Sequence, residues 1–147
     1  MTDTDRIRRE IAVSASPARI WTALSDSRDY GQWFGAEFHD AFAEGAQIEG
    51  AVIGRDGTRY PLHMRILTLE PERRMVFQWP GYNSAGPLLD APWLTVEYRI
   101  EPTDGGARVI VTETGFDSLP DSARQEARSG NESGWDHQAK NLAEHLA

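Results

Sequence analysis

"NESGWDHQAKNLAEHLA", residues Asn131 to Ala147, is the stretch from which the fold is read. It contains no proline, and Trp135, Ala139, Leu142 and Leu146 recur at helical spacing along one stripe. Asp136, Lys140 and Glu144 fall on the opposite side, with Asp136 one turn before Lys140 in the order that favours an ion pair. The stretch predicts one amphipathic helix of about four turns. Its apolar stripe needs a surface to cover, and the rest of the chain supplies mostly strand patterns. A sheet wrapped round this helix is therefore expected, with any site between the two.

The chain before it agrees. Ile7, Ile11 and Val13 alternate with polar residues, which predicts a half-buried strand with Arg9 near its frayed start. In "SASPARIWTALSD", Ser16 suits an N-cap and Pro17 the first helical position. Asp26 is placed to cap a second short helix, "SRDYGQWF", whose length Gly31 is expected to limit. Strands and turns follow. "AEFHDAF" puts Phe38 and Phe42 on one parity, and "AQIEGAVIG" leads to Asp56-Gly57, a hairpin dipeptide. Leu62, Met64 and Ile66 share a face, as do Met75, Phe77 and Trp79, and then Leu94, Val96, Tyr98 and Ile100. Val109, Val111 and Glu113 share a face of the last strand. The loop "PGYNSAGPLLDAP" carries Tyr82, Leu88 and Leu89, more apolar than a solvated loop needs, and suits a lid that folds back. "FDSLPDSARQEAR" predicts a further short helix capped by Asp117 or Ser118, which the glycines of "SGNESG" should break before the final helix.

The totals narrow the class. The chain has 147 residues, which suits one domain over residues 1–147 with a real core. There is no cysteine, so thiolate chemistry, disulfides and cysteine-held metals are excluded. A net charge of −8 argues against nucleic acid as partner. No apolar run approaches the roughly 20 residues of a membrane span, and "MTDTDRIRRE" lacks the apolar core of a signal peptide. A cytoplasmic location fits these features.

The order of elements is similar to the helix-grip fold of the START-like, or SRPBCC, superfamily, and several motifs narrow the resemblance. "ASPARIWTALSD" and "QWF" resemble the superfamily's opening helices. "LEPERRMVFQW" resembles "EPPRRLVFTW" of the heat-shock-protein-90 ATPase activator homologue family. "LTVEYRIEPTDGGARVIVTETGF" resembles its "TVTFRLEPVGGGTRLTLTESGF", and "NESGWDHQAKNLAEHL" its "HEEGWRQCLDNLAAYL". The resemblance implies an α+β fold: a curved antiparallel sheet of six or seven strands round a long C-terminal helix, with two short helices after the first strand. It implies a cavity for a lipid, polyketide or other hydrophobic molecule, and links the chain by name to stress response. The eukaryotic co-chaperone behind that name has a separate N-terminal domain for which this chain has no room. A chaperone contact is therefore not favoured.

Candidate chemistry is sparse. His39, His63, His137 and His145 show no metal-ligand spacing, so no metal is expected, and no cofactor motif is present. Glu113 either points into the cavity as a desolvated acid or base, or sits at the strand end against water or an arginine. Tyr98 brings a hydroxyl to an apolar face and needs a partner, for which a ligand or Glu113 would serve. Gln138 borders the helix stripe, where it either bonds a ligand or edges the core. The expected ligand-binding set is Phe38, Phe42, Phe77, Trp79, Val96, Tyr98, Glu113, Trp135, Gln138 and Leu142. These rings either line an open pocket or fill it. The leading expectation is a small-molecule binding protein. The alternatives are a cyclase or hydrolase-like enzyme using Glu113 and Tyr98, and a co-chaperone or other interaction module. A homodimer is left open.

Overall fold

The computed structural model describes residues 3–147. Met1 and Thr2, the start of the stretch read against a signal peptide, lie outside the described residues. Strand β1 (Arg6–Val13) leads into helices α1 (Pro17–Ser25) and α2 (Ser27–Phe34). Then come β2 (Ala36–Phe38), β3 (Gln47–Ile53), β4 (Arg59–Glu70) and β5 (Arg74–Trp79). A small hairpin, β6 (Tyr82–Asn83) and β7 (Gly86–Pro87), precedes β8 (Leu94–Thr103), β9 (Gly106–Thr114) and helix α3 (Asp121–His145). Seven strands form one antiparallel sheet in the order β1-β9-β8-β5-β4-β3-β2. The first and last strands therefore pair, Arg6 opposite Thr114 and Val13 opposite Ala107.

Local chemistry sets the short helices. The Ser16 hydroxyl accepts from the Arg19 N–H at 3.2 Å, and Pro17 follows at the first position. The Asp26 carboxylate accepts from the N–H groups of Arg28 and Asp29 at 2.9 and 3.0 Å, capping α2. Gly31 does not end α2. It lies inside the helix because a Cβ there would stand 2.3 Å from the Ala36 carbonyl oxygen. Gly35, left-handed at φ 82°, is the stop.

Alternation turns one face of each strand inward. Ile7 and Ile11 of β1 are buried, as are Leu62, Met64 and Ile66 of β4, Met75, Phe77 and Trp79 of β5, and Leu94, Val96, Tyr98 and Ile100 of β8. A bulge between Ile66 and Thr68 exposes Leu67 and bends β4, the local curvature a sheet needs to wrap a helix. The Arg65 guanidinium lies 3.6 Å from the centre of the Trp93 ring and ties the loop before β8 to β4.

The final helix is longer than its amphipathic stretch predicts. It runs unbroken through Gly130 and Gly134, and the separate helical piece between β9 and it is the 3-10 turn Phe116–Ser118. Two glycines cost a helix about 1 kcal/mol each, and packing outweighs them. Ala123 and Ala127 are buried at the same four-residue spacing that leads to Trp135, so the buried stripe starts about three turns earlier. Arg128 and Glu132 form an ion pair across Gly130. The expected Asp136–Lys140 pair is replaced by a bridge from Asp136 to Arg9 of β1, 2.7 Å long. That bridge is largely exposed and worth at most about 1 kcal/mol. Trp135, Leu142 and Leu146 are all buried, as the stripe requires.

Burial of the stripe should be the larger energy. Leu142, 1% exposed, should cost about 2–5 kcal/mol when cut to alanine. Gly130→Ala should instead stabilise by about 0.4–1 kcal/mol, because a Cβ at Gly130 meets nothing within 4 Å. Denaturant titrations of the two variants check both signs.

Candidate functional site

Glu113 lies on β9 between Ile7 of β1 and Val96 of β8, and its side chain is fully buried. The alternating pattern turns it inward with Val109 and Val111. Three side chains meet it. The Trp79 indole N–H donates to Oε2 at 2.6 Å, and the Trp135 indole N–H to Oε1 at 2.8 Å. The Asn131 amide donates to both oxygens, at 3.1 and 3.0 Å. These partners come from β5 and α3, so one carboxyl group ties sheet to helix. Glu113 does sit at the end of β9, as one alternative had it, but it is fully buried rather than against water or an arginine, and among the described residues every hydrogen-bond partner it has is neutral.

Electrostatics pull two ways. Burial disfavours the charged form and raises the Glu113 pKa, while the bonds from Trp79, Trp135 and Asn131 lower it. Burial is the larger cause, so the carboxyl sits above its ordinary range. The two indole N–H groups can only donate, which suits the anion.

The other expected residues divide into two groups. Tyr98 finds its partner in Tyr30, hydroxyl to hydroxyl at 2.7 Å, rather than in Glu113 or a ligand site. Burial holds both phenols far above their usual value. Phe42, Phe77, Val96 and Leu142 are buried, and Phe38 packs on Phe42 with ring centres 5.0 Å apart. Tyr30 touches Trp33, Phe34, Phe38, Phe42 and Tyr98 at ring distances of 4.7 to 6.1 Å. The four expected segments do come together, but deep in the grip these rings pack on one another.

Trp79, Trp135 and Gln138 form the second group, at the rim. The two indoles stack at 5.8 Å and 29°. With Phe34, Asn131, Gly134 and Gln138 they line a hollow of about 110 Å³. Beside it, Phe34, Trp79 and Asn131 also border a cavity of about 270 Å³ whose far wall includes Val52, Pro61 and Tyr82. The Gln138 amide is held within the protein, donating to the Phe34 carbonyl at 2.8 Å and accepting from Asn141 at 3.1 Å. The Tyr82 hydroxyl donates to the Pro61 carbonyl and closes one side. Of the loop expected as a lid, Leu88 folds onto the core while Leu89 stays exposed. A larger hollow of about 630 Å³ lies outside the grip between α2 and the segment after β2. Asp26, Arg28, Glu37 and Asp40 border it, so it is a polar surface groove rather than an enclosed apolar site.

Asn131, Tyr30 and Phe34 were not among the expected site residues. Asn131 stands one helical turn before Trp135 and Gln138 one turn after it, so spacing alone puts all three on one face. Tyr30 and Phe34 share the same four-residue relation in α2.

Comparison with known proteins matches residues 14–147 to a family model described as activator of Hsp90 ATPase homolog 1-like protein. No curated protein matches the chain. Solved structures share the fold. The solution structure of a protein from Arthrobacter aurescens has a TM-score of 0.82 at 20% identity, covering 99% of this chain and 89% of that one. Ms6760 from Mycobacterium smegmatis gives 0.79 at 22% identity, over 99% and 92%. MLL2253 from Mesorhizobium loti gives 0.75 at 20% identity, over 96% of each chain.

The raised carboxyl predicts a pH dependence of stability. A proton is held more tightly by folded than by unfolded Glu113. Its contribution is thus fully present below the ordinary value of 4.5 and is lost as the pH rises through the folded value. Thermal melts of wild type and Glu113→Gln over that window check this. The wild-type melting temperature should fall relative to the variant with rising pH, and Trp emission should shift in step.

Proposed function

The chain belongs to the activator of Hsp90 ATPase homolog 1-like family, and on that premise we propose that it acts as a single domain that binds a small apolar molecule at the rim of the grip. The observation that carries this reading is the cavity of about 270 Å³ walled by Phe34, Val52, Leu62, Trp79 and Tyr82, with no ionised side chain in its lining. Its walls have the composition of a small-molecule site: apolar and aromatic, with a few polar groups. Its size is just below the usual range of about 300–1,000 Å³, which points to a ligand of one or two rings. The ligand contacts Trp79 and, in the adjoining hollow, Trp135 and Gln138. Phe38, Phe42, Phe77, Val96, Tyr98 and Leu142 form the packed bed beneath it. Burial pushes the Tyr82 phenol up to about 12, so the wall it forms is neutral at physiological pH.

The cyclase or hydrolase alternative pairs Glu113 with Tyr98, and Tyr98 spends its hydroxyl on Tyr30 instead. Binding without chemistry is the better-supported reading.

Titration with N-phenyl-1-naphthylamine, a neutral apolar dye, tests it. Dye emission should rise saturably at about one site per chain while Trp emission falls. Val52→Trp, which fills the cavity from β3, should abolish the change without loss of fold, as circular dichroism would report. A native protein that leaves the dye unaltered rules out the binding role.

A further inference from the structure

Glu113, an ionisable acid, lies behind the apolar cavity, and among the described residues its hydrogen-bond partners, Trp79, Asn131 and Trp135, are all neutral. Of the two indoles that hold Glu113, Trp79 also walls that cavity and Trp135 the hollow adjoining it. Asn131 does both jobs as well, but differs from them in being only half-buried. Its amide thus stands between the cavity and the carboxyl group. One turn on, Gly134 lines the same hollow, and a Cβ placed there would meet nothing within 4 Å. The helix face one turn from Asn131 is therefore open.

We propose that the cavity takes a small apolar amine, whose ammonium group displaces the Asn131 amide and bonds Glu113 while the aromatic walls surround its apolar body. This rests on the binding reading above and names the ligand's chemistry. Three features favour a cation over a neutral group. The Asn131 amide brings only a dipole to the carboxylate, whereas an ammonium brings a full opposite charge, so the exchange gains a Coulombic attraction that the amide does not supply. The stacked indoles, Phe34 and Tyr82 offer aromatic surface of the kind that attracts cations. The cavity lining holds no basic residue to repel one, and the net charge of −8 draws cations toward the protein.

The groups that could titrate alongside Glu113 are few. Its strand neighbours are Ile7 and Val96. Glu113 acts through space on Tyr30 and Tyr98, whose phenols burial keeps neutral. From β5 and α3 it faces Trp79, Asn131 and Trp135, which do not titrate. On α3 the charged residues next in sequence, Arg128 and Glu132, pair with each other.

Isothermal titration calorimetry with two matched probes, 2-naphthylmethylamine and 2-naphthylmethanol, decides the matter. The ammonium compound should bind wild type at least about tenfold tighter, in line with a charge-assisted bond. Glu113→Gln should remove that preference, and Asn131→Ala should keep it. If Glu113→Gln does not fold, wild type alone suffices. The amine's advantage should shrink as falling pH protonates Glu113, while the alcohol's affinity holds steady. Equal affinities in wild type overturn the amine proposal and leave the binding site standing. A preference that survives both Glu113→Gln and low pH overturns it too. No binding of either probe, together with no response to the neutral dye, defeats the binding reading itself.

Discussion

A carboxyl group inside an aromatic core has to be met by donors, and the arrangement of this protein follows from meeting that need at Glu113. Trp79 comes from β5, Asn131 and Trp135 from α3, and the acid itself from β9. An unsatisfied buried carboxylate would cost several kcal/mol. The four side chains therefore form only when helix and sheet are in register with each other. Apolar contacts of Leu142 and Leu146 press α3 onto the sheet without strongly fixing where along it the helix lies. Directional bonds to one acid supply the fix.

Most of the scaffold is legible in the sequence because it is set by local rules. Period-two alternation marks β4, β5, β8 and β9, and Ser16, Pro17 and Asp26 mark the starts of α1 and α2. The errors arise where tertiary packing overrides a local signal. Gly130 and Gly134 read as breakers, yet α3 passes through them because Ala123 and Ala127 bury the turns before. Gly31 reads as a terminator, yet it serves close approach to Ala36. The parity of Glu113 indicates an inward direction, but not its partners, because Trp79 and Trp135 are distant in sequence and indistinguishable from plain core residues. Tyr98 is the same case, since its partner Tyr30 lies 68 residues away.

The aromatic rings of the grip have two uses. In the depth of the grip, Tyr30, Phe42, Phe77 and Tyr98 fill the volume that a more open grip would leave to a ligand. At the rim, Phe34, Trp79 and Trp135 leave room. Composition cannot separate these uses, because an aromatic residue that packs on another and one that borders a void look alike in sequence. What separates them is the distance between α2 and the β3–β4 hairpin, a property of the whole fold.

The pairing of β1 with β9 also bears on how the protein is made. Arg6 faces Thr114, so β1, made before the other strands of its sheet, cannot complete its ladder until β9 has followed. Contacts of such sequence separation carry a large loop-closure cost and slow folding. The hairpins β3–β4, β4–β5 and β8–β9 can form as they emerge, while β1 waits with Ile7 and Ile11 uncovered. During synthesis that strand is the segment most in need of shelter from other nascent chains, and its alternating arginines and glutamate, Arg6, Arg8 and Glu10, give it a charged face while it waits.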